Sequence, residues 1–185
     1  MPEAFNIEPF DRSQHDRSQF DCGVSSLNHY VTRQLSNDIR RNLARGYAAV
    51  SASDTETPRK MAGYYTLSSH SVDTELLPEN LGRIPYSTAP AVLIGRLAVC
   101  KSFQGNQLGV QLVVSALRKS IALHDELGIQ LVVVDPLGED VVGFYQKFGF
   151  KEFGDGRLLL PIKTAKQALR AARKDTKKHK GAGTL

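Results

Sequence analysis

The sequence predicts an α/β domain, α+β by some schemes, in which a mixed β-sheet is flanked by helices. Three consecutive segments carry this prediction: a nearly all-apolar run at Ala91–Cys100, an amphipathic segment ending near Leu127, and a β-branched run at Ile129–Val134. Apolar residues in the middle segment recur at three- and four-residue steps, which is the period of a helix with one buried face. A strand, a helix and a strand in this order form a βαβ unit, whose strands run parallel with a right-handed crossover.

The first half of the chain predicts a helical segment followed by a β-hairpin. Val24–Leu43 has an apolar residue at every fourth position from residue 27, which predicts a helix, with a break at Asn37 and Asp38. Gly46–Ser53 and Met61–Ser69 are rich in β-branched, aromatic and small apolar residues. The segment between them is polar and turn-prone, so the two runs predict the strands of the hairpin.

Prolines and glycines mark the boundaries of the remaining elements. Glu75–Pro90 contains three prolines and predicts an ordered loop without regular structure. Glu139–Phe148 predicts a second helix, which Gly149 ends. Phe150–Phe153 and Arg157–Ile162 predict closing strands.

The length of 185 residues predicts one domain, residues 1–162, followed by a basic tail, residues 163–185. Residues 161–185 hold eight of the 24 Lys and Arg residues and one of the 19 acidic residues. The net charge of +5 is therefore a property of the tail. Its alternating Ala, Gln and basic residues predict a short helix that frays into a disordered end.

Several classes of protein and site are not expected. No apolar run is long enough to cross a bilayer, and no basic stretch followed by an apolar one begins the chain, so we expect a cytoplasmic protein. Cys22 and Cys100 lack metal-ligand spacing and predict small, reduced, buried side chains. The five histidines are also scattered, so no metal site is expected.

The segment Gln104–Gly109 lies between the predicted strand and its helix. Free backbone N–H groups and the positive end of the helix would hold phosphate oxygens there, although glycine in such a turn can also serve only to change direction. The spacing is neither G-x-G-x-x-G nor that of a Walker loop. It resembles the pyrophosphate loop of the GNAT superfamily of acetyltransferases, Q/R-x-x-G-x-G/A, with Gln107 at the middle glycine. This replacement is tolerated if Gln107 has helical dihedral angles and fails if the position needs a positive φ.

A second segment, Phe144–Phe150, resembles the F-Y-x-x-F-G-F signature of many GNAT enzymes. Its phenylalanines predict core residues, and Tyr145 could be one too, since buried tyrosines commonly only hydrogen-bond. The resemblance implies instead that Tyr145 is catalytic and protonates the CoA thiolate as the tetrahedral intermediate collapses. A phenol with a pKa of about 10 is protonated at neutral pH and can donate to a leaving thiolate of pKa about 8.5.

The same resemblance implies a GNAT fold whose central sheet is splayed at the acetyl-CoA site, with acetyl-CoA as cosubstrate. Backbone groups of Leu97, Ala98 and Val99 would bind the pantetheine arm like an added strand, and one amide would polarise the thioester carbonyl. The expected acetyl-CoA-binding residues are Leu97, Ala98, Val99, Gln104, Gly105, Asn106, Gln107, Leu108, Gly109 and Val110.

Further segments narrow the resemblance. Phe20–Gly23 with Leu27–Val31, then Ala62–Leu67 and Ile94–Val99, are similar to the GNAT toxins of bacterial toxin–antitoxin pairs. The resemblance implies acetylation of the α-amino group of aminoacyl-tRNA, which blocks translation, a ribbon-helix-helix antitoxin, and a homodimer. That amine titrates below the free α-amino value of about 8, so it is largely neutral and needs little help from a protein base.

Basic residues in the first helical segment and in the tail are candidates for contacts with tRNA phosphates. A solvated helix face and a tail that aids solubility are the alternatives. The candidates are Arg33, Arg40, Arg41, Arg45, Lys163, Lys166, Arg170 and Arg173. Two other functions stay open: an acetyltransferase acting on a protein lysine, a polyamine or another small amine, and an inactive GNAT-like regulator, towards which only Gln107 points.

Overall fold

The computed structural model describes residues 3–154 and 156–181, with side chains as far as residue 171. The chain divides into two compact units: unit 1 comprises residues 1–69 and 93–116, and unit 2 comprises residues 70–92 and 117–185. The strands are β1 (Phe5–Pro9), β2 (His15–Asp16), β3 (Arg45–Ser51), β4 (Arg59–Asp73), β5 (Thr88–Val99), β6 (Leu131–Val134), β7 (Lys151–Phe153) and β8 (Arg157–Pro161). The α-helices are α1 (Ser25–His29), α2 (Leu35–Arg40), α3 (Leu108–Leu127), α4 (Glu139–Gln146) and α5 (Ile162–Gly181).

In unit 1 the strand order is β1-β3-β4-β5, and β2 pairs parallel with the start of β4. β1 is antiparallel to β3, with Phe5 opposite Ser51. β3 is antiparallel to β4 and has an irregular register between Ala49 and Val50. The predicted hairpin is confirmed, although β4 extends beyond the predicted strand at both ends.

Two neighbouring residues of β4, Tyr64 and Gly63, determine how the core of unit 1 packs. Tyr64 is fully buried, contacts Phe20 edge to face, and donates its hydroxyl to the Leu27 carbonyl at 2.9 Å. At the neighbouring Gly63, a Cβ would lie 3.0 Å from the Ala98 carbonyl oxygen and 3.1 Å from Cδ1 of Leu112. The absence of a side chain therefore lets β5 and the first turns of α3 pack closely on β4.

The first helical segment is continuous but not uniform. A π-helical segment, Tyr30–Gln34, separates α1 from α2. The predicted break at Asn37 and Asp38 is wrong, because both residues lie inside α2. The carboxylate of Asp38 accepts a hydrogen bond from the Tyr30 hydroxyl at 2.8 Å, so this side chain is occupied and does not compete for the helix backbone. Three members of the predicted apolar row are buried: Leu27, Val31 and Leu35.

In unit 2 the strand order is β4-β5-β6-β8-β7. β6 is antiparallel to β8, and β7 is antiparallel to β8. The N–H group of Gln130, just before β6, donates to the Pro90 carbonyl of β5 at 2.9 Å. The parallel pairing, the crossover and the splay expected for β5 and β6 stay predictions.

Several boundaries differ from those predicted. Glu75–Pro90 is not wholly irregular, because a 3₁₀ turn lies at Glu79–Leu81 and β5 already begins at Thr88. β1 was not predicted at all. α3 confirms the predicted amphipathic helix, and Gly128 follows it with a φ of +73°.

The C-terminal helix is longer than predicted. α5 has 20 residues instead of one short stretch, and its Ala, Lys, Arg and Gln residues are strong helix formers. Ile162 and Ala165 are buried, so the first turns of the helix contribute to the core of unit 2. The prediction of a disordered end includes residues 182–185, which lie outside the described residues. The division into domain and tail at residue 162 stays a prediction. None of the described helices is both long and apolar enough to cross a bilayer.

Candidate active site

The loop between β5 and α3 has an unusual backbone conformation. A 3₁₀ turn at Lys101–Phe103 follows the strand. Gly105 then has a φ of +84° and Gln107 a φ of +57°. The Gln107 carbonyl accepts the first hydrogen bond of α3, from the Gln111 N–H at 3.2 Å. The loop thus delivers the chain directly into the N-terminus of the helix.

This conformation leaves a row of backbone donors free. In the described part of the chain, none of the N–H groups of residues 105 to 110 donates a hydrogen bond to another residue. Leu108, Gly109 and Val110 form the first turn of α3, where N–H groups have no intrahelical acceptor and the helix dipole is positive. Consecutive free donors at a helix N-terminus bind phosphate oxygens well, so the predicted anion site has the donors it needs.

Gln107 does not have the helical dihedral angles that would accommodate it easily. Its φ of +57° lies in the left-handed region, which costs a residue with a Cβ about 1 kcal/mol relative to the right-handed region. The position thus has the positive φ under which the replacement of glycine was expected to fail, and this expectation of helical dihedral angles is wrong. The strain is small, however, and the backbone N–H groups of the loop still stay free.

The side chain of Gln104 closes the base of the loop. Its Nε2 donates to the Val99 carbonyl at 3.0 Å and to the Cys22 carbonyl at 3.2 Å. Gln104 is the first residue of the loop motif, and its position explains why a long side chain with N–H donors is needed there. The Gln104 side chain thus fixes the loop to the neighbouring backbone, while the residues after it keep their backbone N–H donors free.

An ion pair that sequence reasoning missed holds the same region. Lys101 Nζ lies 2.8 Å from the carboxylate of Asp21, and the Lys101 N–H donates to the Asp21 carbonyl at 2.8 Å. The carboxylate also accepts from Gly23 N–H and Asn28 Nδ2, both at 2.8 Å. The Lys101 hydrogen bond, followed by those from Gly23 and Asn28, lowers the pKa of Asp21 to about 2. The only signal in the sequence was the resemblance of Phe20–Gly23 to the toxins.

The end of β5 lies directly before this loop. Ala98 is buried, while Leu97 and Val99 are half-buried. The Val99 carbonyl is already occupied by Gln104, and the Cys100 N–H donates to the Ala62 carbonyl at 2.8 Å. Binding of a pantetheine arm by residues 97–99 stays a prediction.

Arg96, also on β5, makes a contact that was not predicted. Its guanidinium carbon lies 3.6 Å from the centre of the Tyr30 ring, which is a close cation–π contact. This contact joins β5 to the π-helical segment within unit 1. The arginine is therefore held in one orientation and is not a freely moving surface charge.

Tyr145 lies near the end of α4 in unit 2. Its side chain is 6% exposed and contacts the rings of Phe144 and Phe150 edge to face at 5.2 and 5.6 Å. Its hydroxyl makes no hydrogen bond within the described chain. Every fully buried side-chain N or O atom of the described residues does have a hydrogen-bond partner, so the Tyr145 hydroxyl is not fully buried and keeps access to solvent. Burial raises the pKa of Tyr145 to about 12. The result is a protonated phenol whose hydroxyl is free for another molecule.

The candidate tRNA-binding residues are mostly exposed. Arg33, Arg40, Arg41 and Arg45 are exposed in unit 1, where Arg40 donates to Asn37 and Arg45 donates to Asn42. In unit 2, Lys163 and Arg170 are exposed, whereas Lys166 is half-buried and pairs with Asp125 at 2.9 Å. The side chain of Arg173 lies outside the described residues. Among the described residues, no three His, Cys, Asp or Glu side chains form a group that could hold a metal ion.

Comparison with known proteins gives two toxins among the relatives of this chain. No family model matches the chain. A probable toxin TacT from Sinorhizobium fredii is 26% identical over 174 residues, which cover 88% of this chain and 94% of TacT. A tRNA-acetylating toxin from Mycobacterium tuberculosis is 28% identical over 137 residues, which cover 74% of this chain and 78% of that toxin.

Solved structures agree with these relatives. The crystal structure of a tyrosine-to-phenylalanine mutant of KacT has a TM-score of 0.82 and 34% identity, covering 88% of this chain and 98% of that one. AtaT complexed with acetyl-methionyl-tRNAfMet has a TM-score of 0.81 and 29% identity, covering 90% and 99%. A tyrosine-to-phenylalanine mutant of AtaT, bound to the C-terminus of the antitoxin AtaR and to acetyl-CoA, has a TM-score of 0.75 and 28% identity, covering 89% and 98%.

Proposed function

This chain belongs to the GNAT-type toxins, the family of KacT, and we propose that it transfers acetyl from acetyl-CoA to the α-amino group of aminoacyl-tRNA and so blocks translation. The observation that carries the proposal is the row of free N–H groups at residues 105 to 110 in a chain that matches KacT over almost its whole length. AtaT, which is similar along 90% of this chain, was solved with an acetylated aminoacyl-tRNA. The relatives thus support the proposed substrate and cosubstrate. The free N–H groups of this chain support the proposed way in which the cosubstrate is bound.

Acetyl-CoA fits the donors that the loop offers. The pyrophosphate of CoA carries negative oxygens, and residues 105 to 110 supply free N–H groups at the positive end of α3. We assign binding of the pyrophosphate to Gly105, Asn106, Gln107, Leu108, Gly109 and Val110, with Gln104 supporting the loop. In the proposal, backbone groups of Leu97, Ala98 and Val99 bind the pantetheine arm.

The proposed reaction is a direct attack. The neutral α-amino nitrogen of the aminoacyl ester bonds to the thioester carbonyl carbon, and a backbone N–H at the end of β5 stabilises the oxyanion that forms. The carbon–sulfur bond then breaks, and the electron pair leaves on the CoA sulfur. Tyr145 gives its phenolic proton to that thiolate as the bond breaks, and the new amide nitrogen loses its extra proton to water. The Tyr145 phenolate, with a pKa of about 12, then regains a proton from solvent, which restores the acid.

Tyr145 suits the role of acid because its hydroxyl is both protonated and unoccupied. With a pKa of about 12, the phenol holds its proton throughout the neutral range, and no group of the described chain accepts that proton. Two relatives, KacT and AtaT, were solved as tyrosine-to-phenylalanine mutants. We therefore propose Tyr145 as the catalytic acid.

Two macromolecular partners follow from the proposed function. An antitoxin is proposed because AtaT was solved with the C-terminus of AtaR, and we infer that the antitoxin is of the ribbon-helix-helix type. We also propose a homodimer and a cytoplasmic location, where charged tRNA is present.

For tRNA, we propose backbone contacts through the exposed arginines of unit 1 and the basic residues of α5. Each phosphate contact should contribute affinity that falls with increasing salt and depends little on sequence.

The experiment that tests the function compares four acceptors. The purified chain is incubated with labelled acetyl-CoA and with charged tRNA, uncharged tRNA, a polyamine or a lysine peptide. We expect label only in charged tRNA. Label in the polyamine or the peptide would favour the general amine acetyltransferase, and label in none of the acceptors would favour an inactive regulator.

A further inference from the structure

An open cavity of about 630 Å³ lies in unit 1, apart from the loop at residues 105 to 110. Its volume is within the range of small-ligand sites, which is about 300–1,000 Å³. Three arginines and one acid line it, and Pro58 is the one apolar residue of the lining, so we call it the arginine cavity. Its lining residues are Arg12, His15, Asp16, Arg17, Ser18, Thr32, Arg33 and Pro58.

The acids near the arginine cavity are already occupied. Glu8 pairs with His15 at 2.8 Å and with Arg59. The carboxylate of Asp16 accepts the Ser18 N–H at 2.9 Å. None of the three cavity arginines forms an ion pair in the part of the chain that the structure describes. The cavity therefore has an excess of positive charge.

Arg17 is held rigidly in the wall. Its Nε donates to the Thr32 carbonyl at 3.3 Å, its Nη1 donates to Ser36 Oγ at 2.9 Å, and its guanidinium lies 5.4 Å from the centre of the Phe10 ring. These contacts use two of the five guanidinium N–H donors and leave the others for a ligand. Burial, and then the charge of Arg12, lower the pKa of Arg17. An anion between these side chains would offset both effects.

We propose that the arginine cavity binds backbone phosphates of the tRNA substrate. Guanidinium groups bind phosphate through paired hydrogen bonds, and a run of phosphodiesters can neutralise several arginines at once. A peptide would normally seek apolar pockets as well, and this lining offers only Pro58. The inference rests on the proposed function for the identity of the RNA. It adds Arg12 and Arg17 to the exposed arginines of unit 1 that are proposed above to contact the tRNA backbone.

The test measures binding of uncharged tRNA without acetyl-CoA, by fluorescence anisotropy over a range of salt concentrations. The cavity variant combines Arg12→Gln with Arg33→Gln, both exposed positions. At 0.1 M salt we expect tRNA affinity to fall about tenfold or more, and the slope of log K against log salt to become shallower by about two. The affinity for acetyl-CoA should not change.

A matched variant removes the same charge elsewhere. Arg83→Gln combined with Arg118→Gln changes two exposed arginines outside the cavity and should bind tRNA within about twofold of the wild type. Arg17→Lys keeps the charge but loses the planar fork, so it should weaken tRNA binding while circular dichroism shows the wild-type fold. Equal losses in the cavity variant and in the matched variant would overturn the proposal.

Other ligands give distinct results. If the cavity variant loses binding to polyglutamate or to AMP but binds tRNA like the wild type, the cavity belongs to an acidic protein or a small phosphate, and the proposal is overturned. If tRNA binding depends on the cavity but charged tRNA is not acetylated, the proposed function fails and the cavity proposal stands. If charged tRNA is acetylated and the variants bind tRNA normally, the proposed function stands and the cavity proposal fails.

Discussion

Tyr145 combines deep burial with a hydroxyl that no other described residue engages, and we therefore expect its contribution to be catalytic. Tyr145→Phe keeps the ring contacts with Phe144 and Phe150 and removes only the acid. We expect kcat to fall by about 10²–10⁴, the usual contribution of a general acid, with an unchanged Kd for acetyl-CoA. Steady-state kinetics and calorimetry measure the two quantities.

An exposed tyrosine provides the control. Tyr86 is 74% exposed, and Tyr86→Phe should leave kcat unchanged. Retention of kcat within about threefold in Tyr145→Phe would assign the residue to the core alone.

Gln107 carries a backbone strain that one substitution should remove. Glycine has no Cβ to oppose the φ of +57°, so Gln107→Gly should raise the free energy of unfolding by up to about 1 kcal/mol and retain acetyl-CoA binding. Gln107→Ala keeps the Cβ and should give no such gain. Chemical denaturation measures this difference, and a less stable Gln107→Gly variant would show that the side chain contributes more than the strain costs.

At this scale, sequence reasoning identified residues by motif but not their conformations. Gln107 stands out only as a departure from a pattern, and its left-handed φ arises from the join between the 3₁₀ turn and α3. The Asp21–Lys101 pair joins residues 80 positions apart and has no local signature.

Between elements, β5 and α3 lie close to β4 at Gly63. A Cβ there would meet the Ala98 carbonyl at 3.0 Å, and a backbone atom cannot rotate away. Gly63→Ala should therefore lower the free energy of unfolding by about 1–3 kcal/mol and weaken acetyl-CoA binding, because β5 and the first turn of α3 must shift.

Gly143 is the matched position for this substitution. It lies in α4 with nothing within 4 Å of its ideal Cβ, so Gly143→Ala should stabilise the protein by about 0.5–1 kcal/mol. Denaturation of both variants in urea checks the pair. Equal effects of the two substitutions would contradict the close packing at Gly63.

Elements with strong periodicity were predictable and those with weak periodicity were not. α3 repeats its apolar residues over 20 positions, so it was predicted over its whole length. β1 has only five residues and ends in a proline, so its pattern is too short to recognise. The length of α5 is harder to predict, because a high density of charge is typical of disordered segments, although Lys and Arg also favour helices.

For the molecule as a whole, we expect a simple pH dependence of the reaction rate. Below about pH 8 the rate should rise with pH, because the attacking amine must lose its proton. Burial raises the pKa of Tyr145 to about 12, so the acid stays protonated and no fall is expected between pH 8 and 10. The raised pKa also affects folding, because the folded state favours the neutral phenol. Its contribution to the free energy of unfolding is complete below about pH 10, the pKa of an unfolded tyrosine, and is lost as the pH rises through about 12. A pH profile of kcat/KM with a falling limb near neutrality would point to a different acid.

The family could be predicted from sequence because its motifs are contiguous segments of chain. The arginine cavity could not, since its three arginines come from three places in the chain: the turn between β1 and β2, the segment directly after β2, and the π-helical segment. Only the fold brings them to one surface. The sequence pattern indicates Arg33 as a tRNA contact but neither Arg12 nor Arg17.

The central claim is that acetyl is transferred to the α-amino group of the amino acid carried by tRNA. The most direct test incubates the chain with labelled acetyl-CoA and charged tRNA, re-isolates the RNA, cleaves the aminoacyl ester with mild alkali and analyses the products by mass spectrometry. We predict that all the label leaves the RNA as an N-acetyl amino acid, and that Tyr145→Phe releases far less of it in the same time. Label that stays on the RNA after alkali, or that appears without a charged amino acid, would contradict the claim.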